Sequence, residues 1–268
     1  MYFQKNKINE IKDFYRINGY VVIKGFFNKK HITGIKKEIL NKVDTFEDVF
    51  VYYELIRKNK KRYRRIEKIS NHLNKANNLV CSKKILDLVK KVTNQNQVLF
   101  KDKLNFKYPG GKGYKPHIDG HFYWKDRLNK VKKGWSVYSN IFTNVVIPLE
   151  KSDKKNGCLY LANKKDVKKL GNNWKKITSK LDSFTPNIKK KYLGNFKFKP
   201  AILNNGDILL FDWHCAHKSS KNLSKNSRMI FYATYCKKLK KIKNVREKYY
   251  FDKMYSKNDS LIKSLQFN

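Results

Sequence analysis

The sequence predicts an α+β protein with a mainly β core, formed by a two-sheet roll with N-terminal and inserted helices packed outside. Two observations lead to this fold class. Residues 1–96 carry apolar positions at helical spacing, whereas residues 97–236 divide into short β-rich segments separated by turn signals. Many short strands behind a helical section are typical of double-sheet rolls. We expect one domain over residues 1–268, with a C-terminal tail from 237 to 268.

The first elements follow from helix-stop and capping signals. A helical stripe starts at Ile8 and should end at Asn18-Gly19, because glycine favours a helix stop. A short β-rich run from Tyr20 to Ile23 follows. Asn28 and Ser82 have side chains suited to N-caps, so each should start a further helix. Residues 44–80 show no clear period and are left unassigned.

The β section should contain six strands. Between the third and fourth, residues 164–191 are expected to form an inserted helix and loop, and the lysine-rich tail is expected to dock as a helix. The predicted strands are Val98 to Phe106, Ser139 to Leu149, Cys158 to Ala162, Tyr192 to Phe198, Ile208 to Trp213 and Met229 to Cys236.

Lysine dominates the charge of the chain. The formal net charge is +41, and arginine supplies only eight of the 62 basic residues. An A/T-rich genome explains this bias, and attraction to an anionic partner explains it too. The lysines are spread along the chain instead of clustering with aromatic residues on one element, which disfavours nucleic acid as the partner. Lys58 to Arg65 is the one dense block, and a solvated helix face or loop accounts for it equally well.

Cysteine usage and hydropathy indicate the compartment. The four cysteines are far apart and form no C-x-x-C pair, so neither a disulfide framework nor a structural zinc site is expected. The chain shows no signal-peptide pattern and no apolar run of transmembrane length. We therefore expect a soluble, cytoplasmic protein.

One constellation carries the chemistry. His117 and Asp119 are two residues apart, as needed for side chains on the same face of a strand. His217 follows a later apolar strand, and Arg228 opens the next one. His214 is an alternative to His217 as the second histidine ligand of a metal ion. Two imidazoles and one carboxylate, with coordination positions left open, hold Fe(II) in non-heme oxygenases. An arginine in a β-rich run can bind a carboxylate through two parallel hydrogen bonds, so the set predicts an iron enzyme that activates O₂ with a 2-oxo acid.

Each part of this constellation also has a purely structural explanation. An H-x-D triplet occurs by chance as a surface histidine beside a turn aspartate, and His214 would then be a packing residue. Arg228 could form an internal salt bridge with an acidic residue. Only the combination of the motifs favours the iron site.

The chain resembles the phytanoyl-CoA dioxygenase family of Fe(II)/2-oxoglutarate oxygenases, which includes ectoine hydroxylase. The segments Asn156-Gly157-Cys-Leu159 and Gly206 to Phe211 are similar to the turn and the strand that precede the distal motif of the family, and the opening Gly19 to Phe27 is similar to its N-terminal segment. The distal motif H-x-S-x-x-N-x-S-x-x-x-R is matched by His217, Ser219, Asn222, Ser224 and Arg228, and the proximal H-x-D by His117 and Asp119.

The resemblance implies a double-stranded β-helix of the jelly-roll or cupin type and assigns roles to residues. Fe(II) would be bound by His117, Asp119 and His217, and 2-oxoglutarate by Arg228, Ser219, Asn105 and Tyr114. The expected reaction is hydroxylation of a small molecule by O₂ with release of succinate and CO₂. The candidate substrate wall consists of Tyr123, Trp124 and Trp135.

The sequence departs from the family on the substrate side. The usual P-G-S-H loop is replaced by Ala162-Asn-Lys-Lys165, and Lys218 stands where a glycine follows the distal histidine. The family resemblance therefore does not identify the substrate, although the lysine-rich surface favours an anionic one. The alternative is a basic domain on the same fold that binds nucleic acid or a membrane surface without catalysis. Nucleic-acid demethylases of the related type carry a second arginine six residues after the first. Here that position is Thr234, which argues against an oxygenase that acts on nucleic acid.

Overall fold

The computed structural model describes residues 1–57, 60–168, 170 and 187–256. Within these residues, helices lie outside a core of strands. The helices are α1 (Ile8–Asn18), α2 (Lys29–Lys42), α3 (Asn74–Val80), α4 (Lys83–Thr93), α5 (Lys164–Lys168) and α6 (Val245–Met254). The strands are β1 (Tyr2–Gln4), β2 (Tyr20–Lys24), β3 (Phe50–Arg57), β4 (Lys60–Glu67), β5 (Gln97–Lys107), β6 (Tyr114–His117), β7 (Tyr123–Lys125), β8 (Val131–Lys133), β9 (Phe142–Pro148), β10 (Leu159–Leu161), β11 (Lys199–Ala201), β12 (Ile208–Asp212), β13 (His217–Ser219) and β14 (Arg228–Lys237).

Two sheets form the jelly roll that the sequence predicts. The larger sheet has the order β1-β2-β12-β9-β14-β5-β4-β3, and the smaller has the order β11-β10-β13-β6. Neighbouring strands are antiparallel except for β1 and β2. A separate hairpin is formed by β7 and β8. Residues that are far apart in the sequence therefore meet between the two sheets.

Strand β14 shows how the core is divided. Phe231 and Ala233 point to the outer face, where they join a buried cluster that includes residues of α1 to α4. Ile230 and Tyr232 point inward and join a second buried cluster with apolar residues of the smaller sheet. Because both faces of the strand are covered, its sequence is an almost continuous apolar run, with Arg228 and Thr234 as buried polar exceptions.

The capping signals of the N-terminal section are confirmed. Helix α1 ends at Gly19, whose φ of 83° lies in the left-handed region. A side chain at Gly19 would also meet the Cys215 Sγ at 2.7 Å, so glycine is required for space as well as for conformation. Asn28 and Ser82 accept hydrogen bonds from the backbone N–H groups of Lys30 and Ile85 at the starts of α2 and α4.

The unassigned segment after α2 contains the antiparallel hairpin β3–β4, which extends the larger sheet through β5. The dense basic block of the sequence lies largely in β4, so its interpretation as a helix face or loop is wrong. Arg62 and Arg64 form ion pairs with Glu54 at 3.2 and 3.3 Å, and Arg65 pairs with Glu67 at 3.0 Å. Acidic residues on neighbouring positions thus allow charged side chains in a strand.

Two predicted strands also differ from the structure. Tyr192 to Phe198 is not a strand, because Lys190–Asn195 forms a 3₁₀ turn whose neighbours pack on a small apolar cluster beside Ala216. The long strand expected from Ser139 starts at Phe142, since the Ser139 hydroxyl hydrogen-bonds to backbone carbonyls there instead. The inserted segment begins with α5, and the prediction for residues 169 and 171–186 lies outside the described residues.

The tail docks through α6 on the larger sheet. The Arg246 guanidinium forms an ion pair with the buried carboxylate of Asp102 on β5, and Lys253 forms one with the buried Glu67 on β4. Among the helices of the described residues, none combines the length and the apolar character needed to span a bilayer.

Candidate active site

Three potential metal ligands converge at one end of the smaller sheet. His117 ends β6 and is the register partner of His217, which starts β13. Asp119 lies in the turn after β6, not in a strand as the spacing had suggested, and that turn brings its carboxylate toward both rings. The His117 Nε2 is 4.0 Å from Asp119 Oδ1, and the His217 Nε2 is 3.8 Å from Asp119 Oδ2. One ligand atom of each residue lies within 4.8 Å of the others, a spacing that could hold a metal ion.

Backbone carbonyls fix the orientation of both imidazoles. His117 Nδ1 lies 2.8 Å from the Lys115 carbonyl, and His217 Nδ1 lies 3.0 Å from the Cys215 carbonyl. Because a carbonyl only accepts, each Nδ1 carries the hydrogen and each Nε2 presents a lone pair toward Asp119. Burial, followed by the charge of His217, lowers the pKa of His117 to about 3. Both rings are therefore prepared for metal binding as neutral donors.

A chain of hydrogen bonds orients the carboxylate of Asp119. Asn144 on β9 donates from its side-chain amide to Asp119 Oδ2 at 2.9 Å, and Thr234 on β14 donates its hydroxyl to the Asn144 Oδ1 at 2.7 Å. Burial opposes ionisation of Asp119, but the electrostatic influence of the neighbouring His217 and of Lys103 outweighs it and holds the pKa of Asp119 below its usual range. The carboxylate is thus ionised and held in one orientation.

A pair of buried cations lies further along the larger sheet. Arg228 on β14 is the register partner of Lys107 on β5, and their side chains are 1% and 2% exposed. Both donate to the carbonyl of Gly157, Arg228 from Nη1 at 2.8 Å and Lys107 at 3.1 Å. The Lys107 ammonium also donates to Ser219 Oγ at 2.8 Å and to the Ser220 carbonyl at 2.6 Å. We call these two residues the cation clamp.

The clamp lacks a counter-ion among the described residues. No Asp or Glu of that part of the chain forms an ion pair with Arg228 or Lys107. Burial, and then the charge of Arg228, lowers the pKa of Lys107 to about 5, and burial also lowers the pKa of Arg228. Two cations held together away from water are costly unless an anion joins them. Among the described residues, the surroundings of Arg228 therefore do not provide the internal salt bridge that was its structural explanation.

Polar atoms without partners point to the same space. The Arg228 Nε, the Asn105 Oδ1 and the Tyr114 hydroxyl are buried and have no hydrogen-bond partner. Ser219 Oγ, which accepts from Lys107, also accepts from the Tyr114 backbone N–H at 3.1 Å. A carboxylate placed against the clamp would supply acceptors for the guanidinium and the phenol. The residues present therefore fit a small dicarboxylate such as 2-oxoglutarate.

The predicted substrate-wall residues lie in an aromatic region near β7, β8 and α6. Trp135 is 3% exposed and packs in a cluster with Trp213. Trp124 donates its indole N–H to a backbone carbonyl at 3.1 Å and stacks on Tyr138, whereas Tyr123 is 39% exposed. Of the three, Trp135 comes near the polar inner face of β5.

The structure brings most of the predicted site residues together and adds others. His214 remains outside the triad; its Nδ1 lies 2.9 Å from Asp212 Oδ1, and the residue is only partly buried. Sequence reasoning missed Lys107 and Asn144. Lys107 could have been found from the alternation of polar residues on β5, which ends with Asn105 and Lys107 on the same face. Asn144 gave no signal, since it stands alone in an apolar strand.

The fold and the His-Asp-His site define a non-heme iron oxygenase of the jelly-roll type. The sequence profile of the phytanoyl-CoA dioxygenase (PhyH) family matches residues 15–230, and the chain belongs to this family. It is an Fe(II)- and 2-oxoglutarate-dependent dioxygenase that uses O₂, as the sequence predicted.

Two curated relatives are named after phosphonates. The 2-aminoethylphosphonate dioxygenase of Uncultured bacterium HF130_AEPn_1 is 26% identical over 264 residues, which cover 92% of this chain and 89% of that protein. The methylphosphonate hydroxylase of Gimesia maris is 28% identical over 178 residues, covering 66% of this chain and 59% of that protein.

Solved structures of similar fold have low sequence identity. The 2-oxoglutarate-dependent epimerase SnoN from nogalamycin biosynthesis has a TM-score of 0.66 at 14% identity, covering 87% of this chain and 84% of that one. EctD from S. alaskensis with 2-oxoglutarate and 5-hydroxyectoine has a TM-score of 0.62 at 14% identity, covering 83% and 73%. These similarities establish the fold alone.

Proposed function

We propose that this dioxygenase hydroxylates a small organic anion, with organic phosphonates as the first class to test. In this proposal His117, Asp119 and His217 bind Fe(II), and Arg228 binds the distal carboxylate of 2-oxoglutarate. The observation that carries the proposal is a buried metal-ligand triad beside a buried cation clamp without a counter-ion. When bound, Fe(II) and 2-oxoglutarate supply the oxidising power for hydroxylation by O₂, with succinate and CO₂ as co-products.

The protein's own contribution is orientation and shielding. The two Nε2 atoms and the Asp119 carboxylate would give Fe(II) three protein ligands, so positions would remain for ligands that are not protein. All three residues are 7% exposed or less, so bulk water has little access to them. Phe211 contributes an apolar wall, with its ring centroid 5.0 Å from that of His217.

The clamp explains the choice of cosubstrate. The planar guanidinium of Arg228 can give two parallel hydrogen bonds to one carboxylate, and its Nε is still unpaired. Lys107 from the neighbouring strand and Ser219 from the smaller sheet would complete the contacts. Tyr114 and Asn105 would supply further polar atoms. A monocarboxylate 2-oxo acid would leave these cations without an anion.

Two features support an anionic substrate. The relatives cited above are named for phosphonates, and the net charge of +41 attracts small anions toward the molecule. The alternative of a nucleic-acid-binding domain gains nothing from the basic hairpin, because Arg62, Arg64 and Arg65 are already engaged in ion pairs with Glu54 and Glu67. A cytoplasmic location fits the four free cysteines, since thiols stay reduced there.

The test is substrate-dependent formation of succinate. The purified protein would be supplied with Fe(II), ascorbate, 2-oxoglutarate and O₂, and screened against methylphosphonate, 2-aminoethylphosphonate, their carboxylate analogues and a neutral alcohol. We expect succinate release above the uncoupled background with at least one phosphonate, and none with His217→Ala. A turnover in His217→Ala equal to that of the wild type would refute the assignment of the iron site, and stimulation by the neutral alcohol alone would refute the anionic substrate.

A further inference from the structure

Two further lysines face the interior of the roll from strand β5. The side chains of a strand alternate, so Lys101, Lys103, Asn105 and Lys107 share one face. Their register partners on β14 point the same way, with Tyr232 opposite Lys103. The inner face of β5 therefore carries the clamp residue Lys107 at one end and a lysine pair, Lys101 and Lys103, toward the other.

The lysine pair is too far from the clamp to bind the same carboxylate. Lys103 is four residues before Lys107, which corresponds to about 13 Å along a strand at about 3.3 Å per residue. Lys101 lies a further two residues away. The anion that neutralises the clamp therefore leaves the lysine pair without a partner.

The lysine pair lies beside the metal triad. Lys103 lies on the same face of β5 as Lys101, two residues further along, with Tyr232 of β14 as its register partner. Lys101 is the register partner of Thr234, the residue that begins the hydrogen-bond chain to Asp119. A ligand held by these lysines would therefore lie on the inner face that also carries the hydrogen-bond chain to Asp119.

Neither ammonium group has a hydrogen bond or an ion pair with a described residue. The Lys103 ammonium lies 5.0 Å from the ring centroid of Tyr232, and that of Lys101 lies 4.2 Å from Trp135. Burial is the main reason that the pKa of Lys101 falls to about 7. Aromatic faces hold cations in place without neutralising them, so both groups can still accept an anion.

A neighbouring carboxylate on this wall is already shared. Glu67, on β4, forms ion pairs with Lys253 and Arg65 and also attracts Lys101. Three cations thus surround one carboxylate on this wall. This leaves an excess of positive charge that neither the metal nor the cosubstrate would neutralise.

We infer that Lys101 and Lys103 bind the anionic head group of the substrate, and that the group they select is a phosphonate. A phosphonate carries three acceptor oxygens and up to two negative charges, which matches two ammonium donors, whereas a carboxylate offers two oxygens and one charge. Trp135, placed against Lys101, then forms part of the substrate wall. This inference rests on the proposed function, because it assigns the substrate specificity of the same site.

The experiment measures binding without turnover. Anaerobic protein loaded with Fe(II) and 2-oxoglutarate is titrated with methylphosphonate and with 2-aminoethylphosphonate, and binding is followed by calorimetry and by the change in the visible charge-transfer band. The variants are Lys101→Met, Lys103→Met and the charge-retaining Lys103→Arg. The matched control is Lys61→Met, which removes a lysine that also lies over a tyrosine ring, 4.5 Å from Tyr53, but on an exposed strand position.

We expect each methionine variant to lose about 10- to 100-fold in phosphonate affinity, the size of one charge-assisted hydrogen bond. In these variants the dissociation constant of 2-oxoglutarate, measured from the charge-transfer band, should stay within about twofold of the wild-type value. Lys103→Arg and Lys61→Met should keep phosphonate binding. Methionine removes a buried charge, so these variants should fold, which thermal unfolding checks.

Three results would overturn the inference: no phosphonate binding to the loaded wild type, a phosphonate affinity in both methionine variants equal to that of the wild type, or tighter binding of acetate than of methylphosphonate. Absence of the charge-transfer band in the wild type is a separate outcome. It would refute the proposed function itself, and the inference with it.

Discussion

Replacement of Asn144 by alanine removes the hydrogen bond that orients the iron-binding carboxylate. The side-chain amide of Asn144 donates to Asp119 Oδ2 at 2.9 Å, and its own oxygen accepts from Thr234 at 2.7 Å. Asn144 is 3% exposed and Asp119 is 7% exposed, so water replaces the lost donor poorly. We expect Asn144→Ala to fold and to bind Fe(II) more weakly.

The magnitude follows from two independent estimates. A hydrogen bond to a charged group contributes about 1.5–3 kcal/mol, which corresponds to about 10- to 150-fold in a dissociation constant. Loss of a residue that orients a metal ligand typically costs about 10- to 100-fold in metal affinity. Both estimates give a rise of at least about tenfold in the Fe(II) dissociation constant. Thr234→Val, which removes the outer bond of the chain and keeps its volume, should cost less, about 0.5–1.5 kcal/mol.

The assay is anaerobic titration of metal-free protein with Fe(II) in the presence of saturating 2-oxoglutarate. The wild type, Asn144→Ala and Thr234→Val are compared, and thermal unfolding of the metal-free proteins verifies that each variant is folded. The reasoning predicts affinity in the order wild type, Thr234→Val, Asn144→Ala. An Fe(II) affinity of Asn144→Ala within twofold of the wild type would refute the role of this hydrogen bond.

Further predictions concern the cation clamp. Arg228→Lys keeps the charge but not the two parallel donors, so 2-oxoglutarate affinity should fall about tenfold or more, and an unchanged dissociation constant would contradict bidentate binding. The pKa of Lys107 is about 5 without a ligand, and a bound carboxylate should raise it. The complex then takes up a proton, so 2-oxoglutarate affinity decreases as pH rises above about 5 and levels off above the pKa of Lys107 in the complex. Calorimetry in two buffers of different ionisation enthalpy measures the uptake, and a value of zero at neutral pH would mean that Lys107 does not change its protonation on binding. Gly157→Ala would place a Cβ 2.4 Å from the Ser220 carbonyl oxygen, at a residue whose φ is +76°. The clash should displace the Gly157 carbonyl, which both clamp residues contact. This variant should lower 2-oxoglutarate affinity and the melting temperature together, and a loss of neither would show that the loop can adjust.

The sequence was sufficient for the fold class and for the motifs that meet in the His-Asp-His site, because these depend on local signals. The spacing between His117 and Asp119, and between His217 and Arg228, is short enough to be recognised as a motif. The helix limits near Gly19 and Asn28 follow from the conformational preference of single residues. Such features need no knowledge of how distant strands pair.

The residues that the sequence did not reveal depend on strand register. Lys107 becomes part of the site because β5 places it opposite Arg228, more than a hundred residues later. Asn144 meets Thr234 because β9 lies beside β14 in the larger sheet, and its amide reaches Asp119 in the turn after β6 of the smaller sheet. The hairpin β3–β4 was missed for a related reason: its charged residues hide the β pattern, and their acidic partner Glu54 is itself in the hairpin.

The most direct test of the account is the visible charge-transfer band of the Fe(II)–2-oxoglutarate chelate. Metal-free protein receives Fe(II) and 2-oxoglutarate without oxygen, beside Asp119→Ala and Arg228→Ala as controls. The account predicts a band in the wild type, its loss in Asp119→Ala, and a higher 2-oxoglutarate requirement in Arg228→Ala. A folded wild-type protein that gives no band, or an Asp119→Ala variant with the same band, would contradict the assignment of this site as the iron and cosubstrate centre.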